Sequence, residues 1–138
     1  MTTRAITATE ARRAMRWAQK SLRLQNWTLR LTLSDTVPEC MAHDTSTDHP
    51  AAVSASTAYK TALVWLNSGH DEATTATGAL ASIMHEMVHV LMSEIGLPGK
   101  HQAAHESEFA WGVLANIMVM AYQRQKRPAR KHRRTKTK

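Results

Sequence analysis

The chain has 138 residues, with 18 Lys and Arg against 11 Asp and Glu, eight His and a single Cys. That length suffices for one domain whose core needs no covalent staple, and the lone Cys40 excludes an internal disulfide and every zinc site of the CxxC type. The net charge of +7 is uneven: nine Lys and Arg and no acid fall in residues 124–138, so residues 1–123 carry −2.

Thr7-Ala8-Thr9-Glu10 has the form of a capping box, and Ala11, Ala14, Met15, Ala18 and Leu22 mark one face of a helix reaching about Arg23. Its cations, Arg4, Arg12, Arg13, Arg16 and Lys20, leave no apolar run, so no signal peptide is expected and the address is cytoplasmic. Residues 27–33 alternate strictly, Trp27, Leu29, Leu31 and Leu33 on one side and Thr28, Arg30 and Thr32 on the other, which predicts a half-buried strand. Residues 34–56 carry Pro38, Asp44, Asp48, Pro50 and many Ser and Thr; loop is expected, with a short strand around Cys40 to His43 and Cys40 itself buried. A second strand is expected over Thr57 to Leu66, ended by Asn67, Ser68 and Gly69.

Residues 72–95 form the next helix, with Ala73, Ala76, Leu80, Ile83, Met84, Met87 and Leu91 at helical spacing and Gly96 as a stop. The last helix is expected from about His101 to Gln123. Its uncharged stretch, Phe109 to Gln123, is 15 residues, short of the ~20 that a membrane span needs. Trp17, Trp27, Trp65 and Trp111 fall where large core residues belong, and Met84, Met87 and Met92 fill gaps in the core. Residues 124–138 have nothing apolar to bury and repel one another, so a disordered basic tail follows a domain of residues 1–123. Such a tail suits nucleic acid or an acidic partner, or merely keeps the chain soluble.

One segment specifies a chemistry. His85-Glu86-Met87-Val88-His89 reads HExxH, a pattern that this composition would produce by chance at about 2%. In a helix, positions four apart lie on one face, about 6 Å apart along the axis, so His85 and His89 can converge on one cation. Glu86 points about 100° away, off the line of ligands but in reach of a water beside the ion. That is the place of a general base.

Helix, strand, strand, HEMVH helix and a following helix that opens with acids resembles the small zincin-like metallopeptidases of the minimal gluzincin type often encoded by phages and prophages. The resemblance spans roughly residues 20–121, with HEMVH its specific motif and LRLQNW (22–27) a suggestive one. A second family, the SprT-like proteases, is similar in pairing HExxH with a later segment of the HGxEF type; His105-Glu106-Ser107-Glu108-Phe109 has that spacing without the glycine. The resemblance implies an α+β fold: an N-terminal helix, a small mainly antiparallel sheet, the HExxH helix and a C-terminal helix. It further implies cytoplasmic location, host cytoplasm if phage-encoded, and Zn2+ as cofactor.

Both families require a third protein ligand, since a catalytic zinc holds three and leaves one position open. The candidates are His101, His105, Glu106 and Glu108. Glu106 continues the stripe Phe109, Ala110, Val113 and Ile117, expected to face the core, and is preferred on that ground; His105 and Glu108 remain alternatives. The larger gluzincins carry an acid four residues beyond the ligand glutamate, where Ala110 or Gly112 stands here, so support for a ligating imidazole must come from elsewhere.

The expected function is zinc-dependent hydrolysis of peptide bonds by a metal-activated water with Glu86 as general base. His43, His49, His70, Tyr59 and Tyr122 are the candidate oxyanion donors, and Thr57 to Leu66 is the candidate edge strand for an extended peptide, as the zincin resemblance implies. The alternative is a non-enzymatic or DNA-associated, SprT-like protein that uses a metal-stabilised scaffold and its basic tail to bind nucleic acid.

Overall fold

The computed structural model describes residues 4–96 and 103–126, without the side chains of 103–109. The fold is α+β: α1 (Ala8–Ser21), β1 (Thr28–Ser34), a 3-10 turn (Glu39–Met41), β2 (Ala51–Ser56), β3 (Thr61–Asn67), α2 (Asp71–Thr74), α3 (Ala76–Glu94) and α4 (Ala103–Lys126). The capping box forms as its residues require: Glu10 N donates to Thr7 Oγ1 at 3.1 Å and Thr7 N to Glu10 Oε1 at 3.4 Å. Ala11, Ala14, Met15 and Ala18 are buried, and Trp27, Trp65 and Trp111 are core residues.

The sheet is mixed rather than mainly antiparallel. Its order is β1-β3-β2, with β1 parallel and β2 antiparallel to β3. The reason is β2, which lies inside the stretch that its Ser, Thr and Pro content marked as loop. Ala51, Ala52, Val53 and Ala55 are small enough to pair against Leu66, Trp65, Val64 and Ala62 without an alternating pattern of their own. The turn 57–60 joins β2 to β3, leaving β3 central, so Thr57 to Leu66 is not an edge strand. The edges are β1 and β2.

Cys40 is exposed, not buried, and sits in the 3-10 turn instead of a strand; Met41 turns inward in its place. Asn67 fixes this loop, its buried amide donating to Thr47 O at 3.0 Å and His49 O at 3.1 Å while its Oδ1 accepts from Gly69 N. Pro50 and Ala51 are thereby held beside α3.

The helix expected over residues 72–95 is broken at Thr75, which is extended (φ −90°, ψ 145°) and caps α3 through Gly78 N. A Cβ at Gly78 would lie 1.8 Å from the Glu72 carbonyl oxygen, so only glycine lets α2 end against α3. The expected stop is present: Gly96 takes φ +76° just past the helix. α3 is the central helix, touching α1, α2, β2, β3 and α4. α4 extends to Lys126, so Arg124 to Lys126 belong to a helix and not to a disordered tail; residues 127–138 lie outside those described. No described helix is long and apolar enough to cross a membrane.

Candidate metal centre

Between Gly78 and Val90, α3 is buried almost all round, with one half-open stripe that runs through Gly78, Ala81, His85 and His89. Both motif histidines thus lie on the only side of this part of the helix that solvent reaches. Helical spacing brings their rings together: Nε2 of His89 is 3.1 Å from Nε2 of His85, with centroids 4.8 Å apart and planes at 69°. Zinc–nitrogen bonds of about 2.05 Å to two atoms so placed would subtend about 100°, close to a tetrahedral angle. The pair therefore fits a small divalent cation.

Glu86 is 8% exposed, a carboxylate sunk into the protein. Burying such a group costs several kcal/mol unless a partner offsets it. Glu86 and His85 line one cleft of about 530 Å³. Its other walls include Pro50 and Ala51, Glu72 of α2, Thr75 at the cap of α3, and Gly112, Ala115 and Asn116 of α4. The sequence reading missed Asn116, although it is the one exposed amide-bearing side chain in the uncharged stretch of α4, and an amide N–H is a fitting oxyanion donor.

α4 meets the pair through Trp111, whose ring packs edge-on against His89 with centroids 4.9 Å apart at 84°. The buried stripe of α4 is Trp111, Ala115, Met118, Val119 and Tyr122. Ala110 is exposed, as are Val113 (45%) and Ile117 (56%), so the stripe that ranked Glu106 first faces outward. Among the described residues no third His, Cys, Asp or Glu joins His85 and His89. All four candidates for that role, His101, His105, Glu106 and Glu108, have side chains outside the described part.

The other expected donors are not brought to the cleft. Tyr59 is 82% exposed in the β2–β3 turn, and His43 and His49 are exposed on the loop before β2. His70 has both ring nitrogens on main chain, Nδ1 accepting from Glu72 N and Nε2 3.0 Å from Asp48 O. Tyr122 faces α1, its ring 5.3 Å from that of Trp17, and burial pushes its phenol above the ordinary value. Compared with protein-family models, curated proteins and solved structures, the chain matches none.

Proposed function

We propose that the chain is a zinc-dependent metallopeptidase of the small zincin-like kind, with His85 and His89 as ligands and Glu86 as general base. The observation that carries this reading is the 3.1 Å approach of the two Nε2 atoms beside a buried carboxylate at the wall of an open cleft. The order of helix, small sheet, HExxH helix and closing helix supports the same reading.

A zinc ion held there would act as a Lewis acid, polarising the scissile carbonyl and lowering the pKa of a water toward ~7. The protein supplies the rest. His85 and His89 present Nε2 lone pairs, which requires both rings neutral with the proton on Nδ1. Glu86 takes the proton of the attacking water and passes it to the leaving amine. The Asn116 amide can donate to the developing oxyanion.

For the third ligand the helix face now favours Glu108. At 100° per residue, position 108 falls one turn before Trp111 on the buried stripe, whereas position 106 falls nearly opposite. An extended peptide substrate would use the β2 edge. Asn67 N donates to Pro50 O, which makes that pair a hydrogen-bonded one; Ala51, Val53 and Ala55 then direct their N–H and C=O away from β3, and Ala51 borders the cleft.

Glu86→Gln should keep one zinc per chain and lower peptide hydrolysis about 10²–10⁴-fold, measured on an unstructured casein substrate. Undiminished cleavage by that variant would remove the role given to Glu86.

A further inference from the structure

Seven of the nine Lys and Arg residues in positions 1–123 fall between Arg4 and Arg30, where Glu10 is the only acid; from Leu31 to Gly96 eight acids face Lys60 alone. The fold preserves this separation. Arg12, Arg16 and Lys20 are exposed at four-residue steps along α1. A groove of about 500 Å³ runs between α1 and β1; Arg12, Arg16 and Gln19 of the helix and Arg30 and Thr32 of the strand rim it, over a floor that includes Met15, Leu29 and Leu31.

Arg30 also borders a shallow depression on the face of the sheet turned away from the helices. Register sets two rows there, the polar Thr28–Thr61–Ser56 and Arg30–Leu63–Ser54 with a leucine at its centre, and all six residues line it. The start of the C-terminal basic segment reaches the neighbourhood of α1 too, with Lys126 Nζ 4.0 Å from Glu10 and the Trp17 and Tyr122 rings in contact.

Among the described residues none of Arg12, Arg16, Lys20 and Arg30 forms an ion pair, and Glu10 is already bridged by Arg4. Cations gathered without counter-charge repel one another, so a polyanion that neutralises them is a favourable partner. Guanidinium groups fixed on a helix and a strand, interspersed with hydroxyls, are the donors that phosphate oxygens accept from. No aromatic side chain lines the groove or the depression, which removes base stacking, and no exposed large apolar one does, which removes insertion into lipid.

We infer that this face binds the phosphate backbone of duplex nucleic acid without reading its sequence, through Arg12, Arg16 and Arg30 with the sheet hydroxyls. It shares no residue with the His85 cleft and does not depend on the hydrolase reading. It also differs from binding by the tail, because these residues sit on regular elements of the folded domain.

The test is fluorescence anisotropy of the full chain with a labelled 20-base-pair duplex over a range of KCl concentrations. For R12Q/R16Q/R30Q the plot of log K against log salt should flatten by about 3, at roughly 0.9 for each phosphate no longer neutralised, with affinity at 0.1 M KCl at least about tenfold weaker. Arg30→Gln alone, at an exposed strand position, should flatten it by about 0.9 and covers the case of a misfolded triple variant. A wild-type slope in both variants, as binding through residues 127–138 alone would give, overturns the assignment. So does binding to phosphatidylserine vesicles with no binding to the duplex.

Discussion

α1 and α4 pack against the same central helix, yet they are held by different means. On α1 the inner face is Ala11, Ala14, Met15 and Ala18 and the outer face is Arg12, Arg13, Arg16 and Lys20. Turning that helix over would bury four cations. α4 is apolar on both sides, with Trp111, Ala115, Met118 and Tyr122 inward and Val113, Ile117 and Met120 outward. Water hardly distinguishes its two faces, so its rotation is set by shape, chiefly by the ring contacts of Trp111 with His89 and Tyr122 with Trp17. A helix oriented by polarity is fixed by its own residues; one oriented by packing is fixed by its neighbours.

The sharpest way to break this contrast is to truncate each face of α4. Trp111→Ala should cost about 3–5 kcal/mol in chemical denaturation, whereas Ile117→Ala should stay within about 0.5 kcal/mol. The reverse order would mean that α4 is turned over and that Glu106, not Glu108, follows the buried stripe. The glycines give a smaller contrast of opposite sign. Gly78→Ala drives a methyl into the Glu72 carbonyl and should cost at least about 1–3 kcal/mol, while at Gly112 nothing lies within 4 Å and Ala should stabilise α4 by about 0.5–1 kcal/mol.

The smallest effect concerns the last turn of α3, tied to the sheet by polar groups. Glu94 accepts from Lys60 Nζ and from Trp27 Nε1 at 2.8 Å, and these bonds, Lys60 first, hold its carboxyl below the ordinary 4.5. A lowered folded-state pKa means that its contribution is present above 4.5 and lost as pH falls through the folded value. Glu94→Gln should therefore melt lower than wild type at pH 7, and the gap should close as pH drops below that value. A gap that persists unchanged at pH 2 would contradict the tie.

Where one face is charged or one residue alternates with another, the sequence is sufficient: α1 with its Thr7–Glu10 box, β1 with its Leu29, Leu31 and Leu33, and the stop at Gly96 could all be read. The HExxH pair could be read as well, because four-residue spacing alone brings the two Nε2 atoms together. β2 could not be, since Ala51, Ala52 and Ala55 carry no period and owe their strand to β3. Nor could the Thr75 break, which depends on contact between Glu72 and Gly78. The face of α4 was illegible because both of its sides are apolar, and with it the ranking of the third ligand.

Zinc stoichiometry of the purified full chain, by atomic emission after exhaustive dialysis against metal-free buffer, tests the central claim most directly. One zinc per chain in the wild type and in Glu106→Gln, less than about a tenth of that in His89→Ala, and a clear loss in Glu108→Gln are the expected results. Full zinc content in a His85→Ala/His89→Ala double variant, or none in the wild type after zinc reconstitution, would contradict the metal centre itself.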